Sequence, residues 1–251
     1  MPKHRFYSSP ESINGTSIVL SAEESHHLSR VLRLQQGDEV FAFDGTGNEY
    51  RCTVRDAKKT SASLNILESL EDPVESPLPL TLAQAIAKGE KFDLIVQKAT
   101  ELGVRRIVPL ITDRTDVRVN GDQALRKVER WQRISLESLK QCGRRKLVEI
   151  EKPVKLDDYL ASEMSGQRLA FSLEGHVKIG DVLDLRPSSV NAQSRRIAAL
   201  VGPEGGWSER EQSLMADRGC TMVGLGPRTL RTETAGIVAV ALTQYLLGDL
   251  S

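Results

Sequence analysis

The chain has 251 residues, of which 39% are hydrophobic, 27% charged and 4% aromatic, and its 34 Lys and Arg balance 34 Asp and Glu. That composition excludes global disorder, and the length supports one large or two modest domains whose cores need no disulfides. No run reaches the roughly 18 apolar residues of a membrane span, and no apolar h-region follows the Met-Pro-Lys-His-Arg start, so a soluble protein without a membrane partner is expected. Cys52, Cys142 and Cys220 are odd in number and far apart, which favours a reducing, cytoplasmic location over a disulfide framework or a CxxC metal site.

In chain order, Ser21-Ala-Glu-Glu24 reads as a capping box opening a helix to about Leu34, which Gly37-Asp38 breaks. Alternating runs at Glu39–Asp44, Glu49–Arg55 and Ser61–Leu67, with a Gly45-Thr-Gly-Asn48 turn between the first two, predict a small, partly closed β-barrel. Three prolines between Pro73 and Pro79 then mark a semi-rigid linker. The domains are placed at 1–72 and 73–251 on that basis. Beyond the linker, strands are predicted at Leu80–Ile86, Arg106–Ile111, Leu169–Leu173, Ile197–Val201 and Met222–Leu225. Helices are predicted at Lys91–Leu102, Gln123–Cys142, Leu156–Met164, Glu209–Arg218 and Glu233–Leu247. Ser208-Glu-Arg-Glu211 is a second capping box, and Gly219 a matching stop. The alternation implies an α/β domain with a mostly parallel sheet covered on both faces.

The balanced total hides an uneven charge. Residues 1–72 hold 8 Lys and Arg against 11 Asp and Glu, whereas Gln123–Val148 holds eight basic residues against Glu129 and Glu137. On a helix, Leu125, Val128, Leu136 and Leu139 share an arc of about 80°, and Arg126, Arg130, Arg133, Lys140 and Arg144 an adjacent one. A solvated face usually mixes signs, so a one-signed ladder points to phosphate contact.

Two Gly/Pro loops follow predicted strands: Leu200-Val-Gly-Pro-Glu-Gly-Gly-Trp-Ser208 and Leu225-Gly-Pro-Arg-Thr-Leu-Arg-Thr-Glu-Thr234. Loops beyond the carboxyl ends of parallel strands are where such sheets bind ligands, and glycine lets a ligand approach the backbone. Neither loop has the GxxxxGK[ST] or GxGxxG pattern, so neither favours ATP or NAD. Arg228, Arg231 and Glu233 could form a surface salt bridge at a helix start, or a clamp on a phosphate or base; spacing alone leaves the two readings even. His26 and His27 diverge by about 100° on a helix and cannot share a metal, and no HxxxH or Cys/His cluster exists, so no metal site is expected.

Taken together, several ordered motifs resemble the bacterial ribosomal RNA small-subunit methyltransferases that modify N3 of a uridine in 16S rRNA, within the SPOUT superfamily. They are His4-Arg-Phe-Tyr7, His26-His-Leu-Ser-Arg-Val-Leu-Arg33, Lys88-Gly-Glu-Lys91, Gln97-Lys-Ala-Thr-Glu-Leu-Gly-Val104, Gln141-Cys-Gly-Arg144 and the two Gly/Pro loops. The resemblance spans essentially the whole chain. One departure is Lys140, where the family implies an acidic residue.

The resemblance implies an N-terminal PUA-like barrel, a C-terminal trefoil-knotted domain, a homodimer, S-adenosylmethionine as cofactor, and 16S rRNA of the small ribosomal subunit as partner. It implies cofactor contacts at Leu173, Glu174 and Gly175, at Val201, Gly202, Pro203, Glu204, Gly205 and Gly206, and at Leu225, Gly226 and Leu230. Arg228, Arg231 and Glu233 become catalytic candidates, and Arg5, Arg30, Arg33, Arg126, Arg130, Arg133 and Arg144 are expected at RNA phosphates. The alternatives are a related methyltransferase acting on another RNA position and a non-catalytic RNA-binding assembly factor.

Overall fold

A computed structural model describes residues 4–71, 75–116, 121–162, 166–175, 177–184 and 196–250. The chain divides into two compact units, residues 1–75 with 136–147, and residues 76–135 with 148–251. The boundary placed between 72 and 73 lies outside the described residues, as does the end of the helix expected to reach Met164.

The first unit is a curled sheet of six strands: β1 (Arg5–Tyr7), β2 (Ile13–Asn14), β3 (Ser17–Val19), β4 (Glu39–Phe43), β5 (Glu49–Asp56) and β6 (Ser63–Leu70). Their order is β1-β4-β5-β6-β3-β2, antiparallel except for the parallel β1–β4 pair. Register shifts after Arg51 and after Val54 bend the long β5–β6 ladder, as bulges do. The inward residues Phe6, Ile18, Val40, Ala42, Cys52, Val54 and Leu64 form one core, closed by Leu28.

Leu28 lies just beyond α1 (Ala22–His26), which Ser21 caps by accepting the Glu24 amide at 3.2 Å. The Glu24 carboxylate does not complete the capping box; it pairs with Lys140 instead. Nor does the helix run on to Leu34 as an α-helix. It widens into a π-turn at His27–Val31, and Arg33 follows in the left-handed region at φ 55°. Such a backbone is unfavourable for a residue with a Cβ.

The second unit carries β7 (Leu80–Ala85), α2 (Lys91–Glu101), β8 (Arg106–Ile111), most of α3 (Gly121–Cys142), β9 (Glu149–Ile150), β10 (Val154–Lys155), α4 (Leu156–Ala161) and β11 (Gln167–Phe171). It continues with β12 (Val177–Lys178), α5 (Asp181–Asp184), β13 (Ile197–Val201), α6 (Glu209–Asp217), β14 (Thr221–Gly224) and α7 (Thr232–Leu247). The sheet order is β10-β8-β7-β13-β11-β14-β12, with β9 also on β8, and every pairing is parallel.

A parallel strand covered on both faces needs a continuous apolar run, and all five residues of β13 are buried. The alternation then divides them. Ile197, Ala199 and Val201 pack with α2, α7 and the Val128 and Trp131 side of α3, while Ala198 and Leu200 pack with α4, Trp207 and Met215 of α6. Leu125, expected on the buried stripe of α3, is 44% exposed; the buried face is turned away from it to take in Trp131, tilted against Phe92 at 4.3 Å.

β11 and β12 are consecutive in sequence, yet β14 lies between them, so the short connection from Ser172 has to span β14. The crossing is tight. A Cβ on Gly175 would sit 2.2 Å from the Val223 carbonyl carbon, and one on Gly224 would sit 2.6 Å from Gly175 O. Only two glycines let these backbones meet.

Candidate active site

β13, β11 and β14 are neighbours and end level, with Phe171 in register with both Val201 and Val223. Their three following loops therefore leave from one edge of the sheet. Between them lies a cavity of about 220 Å³. Phe171, Val201, Trp207, Leu225, Leu230 and Ala235 give it apolar walls, and Gly202, Gly205, Gly206 and Gly226 bring main-chain groups to its surface. Glu174, Glu204, Arg114 and Arg228 add charge.

Local chemistry fixes each loop. Trp207 Nε1 donates to Phe171 O at 2.9 Å, tying the second loop to the end of β11. Its indole lies so close to Gly202 that a Cβ there would meet Cε2 at 3.1 Å. Gly206, at φ 68°, closes a turn by donating its N–H to Pro203 O at 2.9 Å. The predicted capping box then starts α6, with Ser208 and Glu211 exchanging side-chain and backbone bonds. Glu211 is fully buried, and its other oxygen accepts the Asp113 amide at 2.8 Å, which fixes the β8–α3 loop. The next residue, Arg114, donates to Gly205 O at 2.7 Å. Lys91 reaches Glu204 at 2.9 Å; partial burial would raise the Glu204 carboxyl, but the Lys91 hydrogen bond and charge and backbone N–H groups outweigh it and hold it low. In the third loop Gly226 takes φ 90°.

Every residue expected at the cofactor lines this cavity except Gly175, whose place is the crossing over β14. Arg228 lines it too. Arg231 and Glu233 do not: Arg231 is the exposed N-cap of α7, and Glu233 is half-buried in the first turn, its Oε2 buried without a hydrogen-bond partner in the described structure. Sequence reasoning missed Arg114, Phe171, Ser172, Trp207, Gln212, Thr229, Thr232 and Ala235 as lining residues. Trp207 and Thr232 sat inside the quoted motifs and could have been found there. Arg114 and Gln212 carried no local signal.

An RNA methyltransferase domain model matches residues 74–244, and an RNA methyltransferase PUA domain model matches residues 20–67. Ribosomal RNA small subunit methyltransferase E of Aquifex aeolicus is 37% identical over 95% of this chain and 98% of its own length. The Synechocystis protein of the same name is 36% identical, over 97% of this chain and 78% of its own length. The chain belongs to this RNA methyltransferase family. Among solved structures, ribosomal RNA small subunit methyltransferase E from Neisseria gonorrhoeae, bound to S-adenosyl methionine, superposes with a TM-score of 0.88 at 33% identity, covering 99% of this chain and 100% of that one. A Legionella pneumophila protein, Lpg2936, solved in complex with SAM, gives a TM-score of 0.90 at 35% identity, with 100% of both chains covered.

The arginines expected at RNA fall into two groups. Arg30 and Arg33 in the family's PUA unit, and Arg126, Arg130 and Arg133 on α3, are exposed, with Arg130 paired to Asp93. Arg5 and Arg144 require correction, because both are buried and their donors are committed inside the first unit. Arg5 donates Nε to Glu49 at 2.7 Å and its terminal nitrogens to the carbonyls of Leu139 at 2.6 Å and Arg144 at 3.0 Å. It thus adds a second donor to Leu139 O, which already accepts the Gly143 amide at 3.1 Å, and holds the Arg144 carbonyl just beyond the end of α3. Glu49 also accepts from Arg145 at 3.0 Å, and Glu75 accepts from Arg144 at 2.8 Å and from the Arg145 amide at 2.8 Å. The departure at Lys140 has its place here as well, because Lys140 pairs with Glu24 and Glu137.

Among the described residues no group of His, Cys, Asp or Glu is arranged to hold a metal ion, and no helix is long and apolar enough to cross a membrane.

Proposed function

We propose that the cavity binds S-adenosylmethionine and that the protein methylates N3 of a uridine in the 16S RNA of the small ribosomal subunit. The carrying observation is the meeting of the two Gly/Pro loops and the β11 loop around one cavity at the level ends of three parallel strands. Its make-up suits that cofactor. Apolar walls accept a nucleoside base, main-chain groups freed by glycine can meet its edge, and the Glu174 and Glu204 carboxylates suit ribose hydroxyls and a cationic group.

When bound, the cofactor supplies an electrophilic methyl group on a sulfonium. The protein's own task is to bring the nitrogen into line with that methyl and to manage a proton, because N3 of neutral uracil carries one. Alignment can contribute about 7–11 kcal/mol in favourable cases. Thr232 and Ala235 of α7 line the cavity, so the positive end of that helix faces the reaction and favours developing negative charge on the base. Arg228 at the wall and Arg231 at the helix cap add positive charge, gripping the base or its phosphate. Glu233, in the first turn of α7, accepts the N3 proton or orients one of these arginines.

RNA presents its modifiable bases unpaired or splayed out, so phosphate contacts must hold the backbone nearby. We assign these to Arg30, Arg33, Arg126, Arg130 and Arg133. The reading includes a homodimer. It is supported by α7, which carries apolar residues on all sides and leaves Tyr245 57% exposed, with Leu94 of α2 40% exposed. It also includes a knotted path, supported by the insertion of β14 between β11 and β12. A cytoplasmic location agrees with three free thiols.

Tritium transfer from labelled S-adenosylmethionine to unmodified small-subunit RNA, with mass-spectrometric mapping of the product, tests the proposal. One N3-methyluridine is the expected product. A methyl on ribose or another base would reassign the substrate position, and absence of transfer with either free RNA or assembled subunits would overturn the activity.

A further inference from the structure

Gln84 is out of character with its strand. β7 reads Leu-Thr-Leu-Ala-Gln-Ala, and the Gln84 side chain is fully buried. A buried amide is unfavourable unless its groups are paired, and among the described residues its Oε1 has no partner, so its Nε2 carries all the pairing. Its Nε2 donates to Thr232 Oγ1 at 3.0 Å, with longer contacts to Ala85 O at 3.3 Å and Val201 O at 3.5 Å. Thr232 Oγ1 then donates its own proton to Gly202 O at 2.6 Å. The hydroxyl accepts once and donates once, forming a directed chain from strand to helix to loop.

Two further features give the chain its purpose. Pro203 follows Gly202 and has no N–H, so the carbonyl is the sole hydrogen-bonding group of the Gly202–Pro203 peptide, and Thr232 holds it. One turn along α7, a Cβ on Gly236 would lie 2.5 Å from Gln84 Oε1. The helix comes this close to the amide because position 236 has no side chain. Gly202 and Thr232 both line the cavity; Gln84 does not.

We infer that Gln84 is a positioning residue for the cofactor pocket, acting through Thr232 to set the Gly202 carbonyl and to seat the first turn of α7. The inference rests on reading the cavity as the S-adenosylmethionine site. The chain touches no reacting atom, so its loss loosens the pocket wall and lowers affinity more than it slows the chemical step.

Gln84→Met keeps the volume and deletes the donor. Thr232→Val keeps the shape and deletes the hydroxyl, and Thr232→Ser restores it. The measurements are Kd for S-adenosylmethionine by calorimetry, kcat at saturating cofactor, and hydrogen exchange of the cofactor-free protein across residues 201–207 and 232–236. Gln84→Met and Thr232→Val should each raise Kd by about tenfold or more and speed exchange in the first turn of α7, with kcat falling by a smaller factor than Kd rises. Thr232→Ser should stay within about threefold of the parent in Kd. The double variant Gln84→Met/Thr232→Val should be no weaker than the weaker single, since both break one chain. A folded Gln84→Met with parental Kd, or effects that multiply in the double variant, would overturn the inference. Should Gln84→Met not fold, equal affinity of Thr232→Val and Thr232→Ser would overturn it. If the parent protein binds no S-adenosylmethionine, the reading of the cavity falls by itself. Exchange then decides for the chain alone, and unchanged rates in Thr232→Val would sink it.

Discussion

At the cavity of the second unit, glycine at 202, 205 and 226 leaves main-chain groups at an accessible wall, with Glu174 and Glu204 beside them. In the first unit, Arg5, Glu49, Arg145, Arg144 and Glu75 are also brought together from distant parts of the chain, but they face one another. Arg5 and Arg145 share the two oxygens of Glu49, and the remaining Arg5 donors cap the end of α3. The first arrangement keeps polar groups open to a ligand; the second uses them to hold the unit together. Charge or polarity in a sequence motif therefore says little about function until its partners are known.

The largest way to break this contrast is Glu49→Ala. Removing the shared carboxylate leaves two buried guanidiniums short of a partner, and such losses cost about 3–5 kcal/mol. Denaturant unfolding followed in the first unit should show a fall of that order, while affinity for S-adenosylmethionine stays at its parental value. Gly226→Val probes the other side. A β-branched residue at φ 90° costs about 1–2 kcal/mol in backbone strain, at a position that lines the cavity and where a Cβ meets nothing within 4 Å. Calorimetry should show affinity lowered by about tenfold or more, with a melting temperature only slightly reduced.

A smaller effect separates the two classes of arginine. Arg126→Ala and Arg133→Ala should each lower the slope of log affinity for RNA against log salt by about 0.7–0.9. Arg144→Ala should instead lower stability and leave the slope as it was. Parental slopes in the Arg126 and Arg133 variants would return both residues to a merely solvated face.

The smallest effect is on pH dependence. Burial would raise the Glu75 carboxyl, but hydrogen bonds and charge from Arg144, with the amides of Arg145 and Lys146, outweigh it and hold it below its ordinary 4.5. A depressed carboxyl adds stability above its unfolded value and loses it as pH falls through the folded value. Stability should therefore decline below about pH 4.5, and Glu75→Gln should flatten that decline.

The strands and helices of the second unit were legible because covered parallel strands and their helices have distinct periods; β8 and β13 match their predicted limits. So was the second capping box, a purely local device. The two Gly/Pro loops were legible as a pair because glycine and proline mark turns whatever the tertiary context. The misreadings were non-local. The basic run 123–148 looked unbalanced because Glu24, Glu49, Glu75 and Asp93, which pair with it, lie far away in sequence. The short strands β1, β2, β3, β9, β10 and β12 are held by partners rather than by their own pattern. Arg114 reaches the cavity only because Glu211, almost a hundred residues on, fixes its loop.

The insertion of β14 between β11 and β12 also sets an order of events during synthesis. Until Thr221–Gly224 has been made, β11 has an unfilled edge and the cavity has no third wall. Until Thr232 has been made, the Gly202 carbonyl has nothing to hold it. A nascent or truncated chain ending before these residues would thus possess most of its sheet and none of its capacity for the cofactor, and that capacity should arrive abruptly as the last stretch is added.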